Sequence, residues 1–318
     1  MGFATEYSAC REACEDRSVS IAREIGSAVL SGILLEVSAH PKPGLVAPLS
    51  MGAHRDMDLQ TFMVSSAAIA PCLVGCAEAG LRHEGAPEEL LVRIRAIGRD
   101  FETRLLHVTH GVNTQRGALF SSGLVAAAAG LAAHENQRLV AGTVLPMAAR
   151  IARGLCAREL SGRDLSEARS AGEVLFRDYG VLGIRGEAET GFPTVAEFGL
   201  PALREALGGG NGLNRSLVHA LMALIAETED TTVLWRSGPS GLAFLQAEAR
   251  RILAAGGGLT ERGLAGIERL NLACIEKNIS PGGAADLLAV TVAMYLMEHG
   301  RFPGSAMVSA SKDRIDYV

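Results

Sequence analysis

The chain has 318 residues, 48% of them apolar and 20% charged, with a formal net charge of -5. That balance excludes intrinsic disorder, which needs low hydrophobicity and high net charge. It also excludes the broad basic footprint of a nucleic-acid-binding protein. Folded as one unit, a chain of this length buries roughly three quarters of its unfolded surface and needs no staples.

In chain order, Met1 to Arg17 is polar and mixed in charge, without the basic start and apolar core of a signal peptide. Ile21 to Val37 is apolar on more than one face, through Ile25, Val29 and Ile33 and also Leu30, Leu34 and Val37. That predicts a central, buried helix. A second helix is expected over 59–81. Between Glu88 and His107 the residues Leu90, Ile94, Ile97, Phe101 and Leu105 step by three or four, with Arg93, Arg95, Arg99 and Asp100 between them. The result is an amphipathic helix entered through Pro87. The expected helix over 114–133 contains the most apolar stretch, Gly117 to Ala133, which is short for a membrane span. Its small residues suit a buried helix that lets neighbours approach closely. Further helices are expected over 138–157, 164–179, 194–207, 213–228, 240–255, 260–277 and 282–299. The run Gly208-Gly209-Gly210-Asn211-Gly212 marks a turn between two of them. Strict polar–apolar alternation is nearly absent, so the expectation is one all-α domain over 1–318, without membrane span, soluble and cytoplasmic. The pairs Cys10/Cys14 and Cys72/Cys76 are spaced four apart, on one helix face each. They read as reduced thiols rather than as zinc ligands.

Phosphate-binding loops with a terminal Lys-Ser/Thr, nucleophile elbows and His-Glu-x-x-His pairs do not occur. Five polar clusters remain. Glu36 lies near the end of the apolar first helix, where a carboxylate is costly unless paired or ligand-bound. Pro41 and Pro43 stiffen the segment that carries Lys42, so Lys42 points either at a phosphate or back at Glu36. His54-x-Asp56-x-Asp58 could ligate a divalent cation, but Asp58 equally suits the cap of the helix from Leu59. The second cluster, Asn113-Thr114-Gln115-Arg116-Gly117, opens the small-residue helix and offers either simple capping or an anion site. The third, Arg185-Gly186-Glu187-Ala188-Glu189, reads as a solvated loop. The fourth runs from Asp230 to Gly238 and contains the only Trp, Trp235, beside Arg236; a lone Trp more often belongs to a core. In the fifth, Ser280 and Pro281 open a helix whose first turn holds Gly282 and Gly283. Two glycines there cost roughly 1 kcal/mol each relative to Ala. Close approach of a ligand or of backbone is the usual compensation.

Together the clusters fit a polyphosphate site. Lys42, Arg116, Arg185 and Arg236 supply positive charge, and helix N-termini supply amide donors. Asp56, Asp230 and Asp286 sit in the same clusters. Carboxylates beside phosphates imply a cation between them, and oxygen ligands imply magnesium.

Read in order, Glu36-Val37, Pro41 to Val46, Gly52 to Met57, Gly111 to Thr114, Ile184 to Ala188, Asp230-Thr231 and Ser280 to Leu288 resemble the triphosphoribosyl-dephospho-coenzyme A synthase family. The resemblance covers about 25–298, leaving 1–20 and 300–318 as terminal extensions. It implies an all-helical enzyme that moves the triphosphoribosyl group of ATP onto 3'-dephospho-coenzyme A and releases adenine. The product would be the prosthetic-group precursor of citrate lyase or malonate decarboxylase, handed on to a holo-acyl-carrier-protein synthase. Glu36 or Asp56 would then deprotonate the acceptor hydroxyl, and Asp56 and Asp230 would hold magnesium. Lys42, Arg116, Arg236 and the amides of Gly282 and Gly283 would take the triphosphate. Asn113 and Arg185 would orient substrate, with His54, Thr114, Glu187, Ser280 and Asp286 completing its contacts. The chain departs from the family at Gln115-Arg116, where His-Lys is frequent, and at Thr232, where Asn is frequent. Those positions bear on the acceptor. The rival readings are a magnesium-dependent helical nucleotide phosphohydrolase, a relative using another acceptor, and a non-catalytic nucleotide-binding relative. The apolar fraction leaves room for a homodimer.

Overall fold

The computed structural model describes residues 2–161 and 170–307, with side chains from Arg17 onward. The Cys10/Cys14 side chains, the start of the helix expected over 164–179 and the end of the C-terminal extension lie outside the described residues. The described residues form α-helices without a strand. They are α1 (Gly2–Ser38), α2 (Leu59–Leu81), α3 (Pro87–Val108), α4 (Arg116–His134), α5 (Ala141–Ala152), α6 (Ala171–Tyr179), α7 (Gly183–Thr190), α8 (Leu200–Gly208), α9 (Leu213–Glu227), α10 (Thr231–Ala254), α11 (Glu261–Glu276), α12 (Gly282–His299) and α13 (Gly304–Met307).

The centre of the molecule is a set of helices that touch almost backbone to backbone. α1 packs against α2 and α12, and α2 against α4. Small residues permit this. A Cβ on Gly80 of α2 would lie 2.1 Å from the carbonyl oxygen of Ala127 in α4, and one on Gly130 of α4 would lie 2.2 Å from that of Ala77. Gly32 of α1 meets Ala289 of α12 in the same way, at 2.2 Å. Close approach maximises dispersion contact along the seam. Thus α4 is the buried small-residue helix anticipated from Gly117 to Ala133, with Val125 to Ala129 wholly shielded. α1, α2 and α4 are long and apolar enough to cross a membrane by length and composition; in this fold they form the shared core with α12 and α9.

Two elements differ from the sequence reading. The patch from Arg185 to Glu189 is not a loop but α7, closed by Gly191 in the left-handed region at φ 81°. α10 begins at Thr231, two and a half turns before the expected start at 240. It bends at Gly238, where φ is 67° and ψ -175°, just before Pro239. That break had hidden the first part of the helix.

Candidate active site

Four stretches distant in sequence surround one cleft. The last two turns of α1 give Ile33 and Glu36, the loop after it gives Leu45, Val46, His54 and Met57, and the start of α2 gives Phe62. The entry to α4 gives Asn113 to Ala118, α10 gives Thr232, and the start of α12 gives Ser280, Gly282, Ala285, Asp286 and Ala289. The cleft has a volume of about 160 Å³. Whole-ligand pockets run to roughly 300–1,000 Å³, so this recess can enclose a sugar-sized group while the remainder of a nucleotide lies outside it.

At the end of α1, Lys42 Nζ donates to Glu36 Oε1 at 2.6 Å and to the Glu36 carbonyl oxygen at 2.7 Å. The ammonium thus satisfies a helix-terminal carbonyl and neutralises a carboxylate together. Lys42 is 1% exposed. Burial lowers its pKa, and the charge of Glu36 opposes that shift. Lys42 therefore does not reach out to a triphosphate, as expected of it above; it is the counter-charge of Glu36, which itself lines the cleft.

The loop after Gly44 brings His54 over α12, where His54 Nε2 and Ser280 Oγ hydrogen-bond at 2.8 Å. Burial and nearby Arg236 lower the His54 pKa, which favours the neutral imidazole. Asp56 lies 3.9 Å from His54 Nδ1, with its side chain 62% exposed. Asp58 caps α2, accepting from Thr61 N at 2.8 Å, with Thr61 completing a capping box.

At the head of α4, Asn113 Oδ1 accepts from Arg116 N at 3.4 Å. Thr114 Oγ1 is shielded from solvent without a hydrogen-bond partner, beside the cleft. Gln115, which sequence reasoning noted only as a departure from the family, is 3% exposed. Its Oε1 accepts from Ser65 Oγ at 3.1 Å and Ser66 Oγ at 3.2 Å, and its Nε2 donates to Ser66 Oγ at 3.1 Å. It pins the entry of α4 to α2. The signal available in sequence was the pair Ser65-Ser66 on an otherwise apolar helix. Arg116 reaches the rim, 52% exposed and paired with Glu102.

Asp230 explains the glycine pair of α12. Its Oδ1 accepts from Thr232 N at 2.9 Å and Val233 N at 3.2 Å, capping α10, while Oδ2 accepts from Ala284 N at 2.9 Å. One buried carboxylate thereby holds two helix N-termini together. A Cβ on Gly283 would stand 3.0 Å from Asp230 Oδ2, and one on Gly282 3.0 Å from Thr232 Oγ1. The compensation for the glycines is thus the approach of α10, not of a ligand. Burial pushes Asp230 up to about 6 against the pull of the N–H groups of Ala284, Val233, Thr232 and Gly283. The expectation that Gly282 and Gly283 offer amides to phosphate is corrected as well, since Gly282 N already donates to Ser280 O at 2.9 Å and Gly283 N faces Asp230.

Asp286, one turn further along α12, lines the cleft together with Glu36. It accepts from the Ala118 amide at the start of α4, while desolvation, then Glu36, then Asp230, push its pKa well above the usual carboxylate range.

The remaining expected contacts are elsewhere. Arg236 is a strut: its Nε donates to Asn278 O at 3.1 Å and its Nη2 to Asn278 Oδ1 at 2.5 Å and to Ala53 O. Neighbouring Trp235 is 56% exposed, against the expectation of a core position. Arg185 Nε pairs with Glu159 Oε2 at 2.8 Å, and Glu187 Oε1 accepts from Thr194 Oγ1 at 2.5 Å. Both belong to the packing of α7 and neither lines the cleft. Asp56 and Asp230, expected to share magnesium, stand in different surroundings, one in water and one with its oxygens turned onto helix amides. Among the described residues no group of three or more His, Cys, Asp or Glu side chains is placed to hold a metal ion.

The recess is thus lined by two carboxylates, Asp286 and Glu36 with its buried counter-charge Lys42, and carries Arg116 at its rim, while Asp230 is buried outside the lining. A helical enzyme with such a recess suits a substrate that develops positive charge within and carries anionic groups outside. Comparison with known proteins makes this specific. The family described as ATP:dephospho-CoA triphosphoribosyl transferase matches residues 22–302. A probable 2-(5''-triphosphoribosyl)-3'-dephosphocoenzyme-A synthase of Malonomonas rubra is 41% identical, covering 88% of this chain and 89% of its own. The 2-(5''-triphosphoribosyl)-3'-dephosphocoenzyme-A synthase of Klebsiella pneumoniae is 40% identical over 85% of this chain and 89% of its own. A probable synthase of the same name from Azotobacter vinelandii is 40% identical over 88% and 93%. No solved structure matches. The chain belongs to the ATP:dephospho-CoA triphosphoribosyl transferase family, and it is a transferase.

Proposed function

We propose that the chain transfers the 5-triphosphoribosyl group of ATP onto the 2'-hydroxyl of 3'-dephospho-coenzyme A, with release of adenine. The observation that carries this reading is Glu36, a cleft-lining carboxylate whose counter-charge, Lys42, is buried behind it. A ribose losing its base at C1 develops oxocarbenium character, and a fixed carboxylate beside C1 stabilises that charge, as in glycoside cleavage. Glu36 also accepts the proton of the incoming hydroxyl. Thr114 Oγ1, lacking a partner in the protein, takes one from the bound sugar or base. Asn113 and Arg116 meet the triphosphate at the rim, and enclosure of the sugar alone orients C1 for attack.

Magnesium fits only as a companion of the triphosphate. Mg²⁺ is commonly held by one or two carboxylates together with substrate phosphates and water. Exposed Asp56 suits that role, and Asp230, saturated by helix amides, does not. Bound there, magnesium would neutralise phosphate charge. In the biosynthesis of a citrate lyase or malonate decarboxylase prosthetic group, the product would pass to a holo-acyl-carrier-protein synthase.

The test is incubation with ATP, magnesium and 3'-dephospho-coenzyme A, with the spent nucleotide separated by chromatography and the product weighed by mass spectrometry. Free adenine and the triphosphoribosyl adduct are the expected products. ADP or phosphate in their place would show hydrolysis or kinase chemistry instead. Glu36→Gln, checked for folding by circular dichroism, should lower adenine release by about 10²-fold or more; near-normal turnover removes Glu36 from the reaction.

A further inference from the structure

The cleft floor contains more carboxylate than local positive charge. Glu36 and Asp286 line it, the charges of Glu36 and of buried Asp230 act on Asp286, and among the described residues Lys42 is the cation bonded to the group, through Glu36. Interacting carboxylates with one counter-ion between them do not all stay ionised; the least compensated takes up a proton. Their partners rank them. Glu36 has the Lys42 ammonium at 2.6 Å. Asp230 has the backbone N–H groups of Thr232, Val233 and Ala284. Among the described residues Asp286 has the Ala118 amide as its hydrogen-bond partner, and the charges of both other carboxylates act on it. Other charged groups do not redress this. His54 is held toward the neutral form and bonded to Ser280, and Arg116 is turned to Glu102.

The seat of Asp286 is also specifically shaped. A Cβ on Gly117 would lie 1.9 Å from Asp286 Oδ2, so only glycine at the second position of α4 lets the carboxyl reach its place. There it shares the cleft wall with Glu36.

Building on the proposed ribosyl transfer, we propose that Asp286 is the general acid of the reaction, protonating the departing adenine while Glu36 takes the proton of the attacking hydroxyl. The C1–N9 bond breaks with its electron pair going to adenine, and a ring nitrogen of the base receives the Asp286 proton, so adenine leaves neutral. The acceptor oxygen forms the new bond to C1, and its proton goes to Glu36. Transfer of that proton from Glu36 back to Asp286 restores both groups. Asp286, bonded to one amide, is thereby suited to give a proton, and Glu36, held against Lys42, to take one, the division of labour in an acid–base pair.

The test compares wild type with Asp286→Asn, an isosteric change that removes the proton, measuring adenine release from ATP and 3'-dephospho-coenzyme A across pH. A general acid works when protonated, so wild-type kcat falls as pH rises through its pKa. Asp286→Asn should lower kcat by about 10²–10³-fold, leave KM for ATP within about threefold, and abolish that alkaline limb. Gly117→Ala gives a second route, displacing the carboxyl without removing it; a loss in kcat of about 10-fold or more at nearly constant KM is expected. An Asp286→Asn enzyme within threefold of wild type, or one that keeps the alkaline limb or changes KM alone, would overturn the assignment. Wild type that releases no adenine would instead overturn the transfer reaction itself.

Discussion

In the floor of the cleft Glu36 and Asp230 are matched against partners inside the protein, whereas at the rim Asp56 and Arg116 keep their charges largely in water, 62% and 52% exposed. The floor is held by helix ends, with Lys42 bonded to the last turn of α1, Asp230 to the heads of α10 and α12, and Asp286 to the head of α4. The rim rests on loops and long side chains. The same charged residue types therefore do different work in the two places. In the floor a substitution removes one half of a desolvated arrangement and affects the fold as well as the chemistry. At the rim it removes a screened contact and should affect substrate affinity alone.

The largest effect should come from Lys42→Met. It strands the Glu36 carboxylate at 2.6 Å from where its counter-charge stood. Breaking a buried pair from one side costs about 3–5 kcal/mol, measurable by urea unfolding. The double variant with Glu36→Gln should recover most of that stability while remaining inactive. A single variant within about 1 kcal/mol of wild type would mean that the floor tolerates unmatched charge and that the contrast with the rim is wrong.

Asp230→Ala comes next. It removes the cap of α10 and leaves Ala284 N–H without its acceptor, together about 2–4 kcal/mol. pH sharpens the point. Burial raises Asp230 from 3.8 to about 6, so the native state holds the proton more tightly than the unfolded chain between those values. Its contribution therefore makes stability fall as pH rises through that window, and Asp230→Asn should remove this share of the slope. Thermal melts of the two proteins between pH 3.5 and 7 make the comparison. An unchanged difference in Tm across that range would show that Asp230 does not titrate there.

How far these roles could be read from sequence follows from what each depends on. Helices whose apolar residues recur at three and four, as from Leu90 to Leu105 in α3, are legible because period alone defines the buried face. α7 lacks such a stripe over Arg185-Gly186-Glu187, and its stability comes from neighbours: Glu159 on Arg185 and Thr194 on Glu187. Nothing local announces it. The glycine pair at 282–283 was legible as a place of close approach, but not what approaches, because α10 lies some fifty residues away in sequence. Likewise, both candidate partners of Lys42 were visible, a phosphate and Glu36, and only packing decides for Glu36. Gln115 was the least legible. Its role rests on two serines of another helix, and a contact between helices leaves no spacing to read.

Gln115→Ala should follow in size, at about 1–3 kcal/mol, because Ser65 and Ser66 are buried and lose their shared partner. Its unfolding midpoint should drop without change in slope. If stability is unaffected but acceptor turnover falls, the side chain contacts substrate rather than bracing α4.

The smallest effect on the fold belongs to Arg116→Ala, and it is the sharpest probe of the rim. The side chain is half exposed and its partner Glu102 lies on the outer face of α3, so the pair contributes under about 1 kcal/mol to stability. Unfolding should be nearly unchanged. Substrate binding should not be, since an arginine beside the head of α4 adds to the anion affinity of that helix terminus. KM for ATP is expected to rise by roughly 5–20-fold, with kcat within about twofold, because the charge it meets is present equally in the bound and the reacting triphosphate. Salt should mimic the variant, raising the wild-type KM more than the variant KM, as screening acts on exposed charge. A fall in kcat at constant KM would move Arg116 from the rim into the chemistry, and the division between a matched interior and a solvated entrance would have to be redrawn one turn further out along α4.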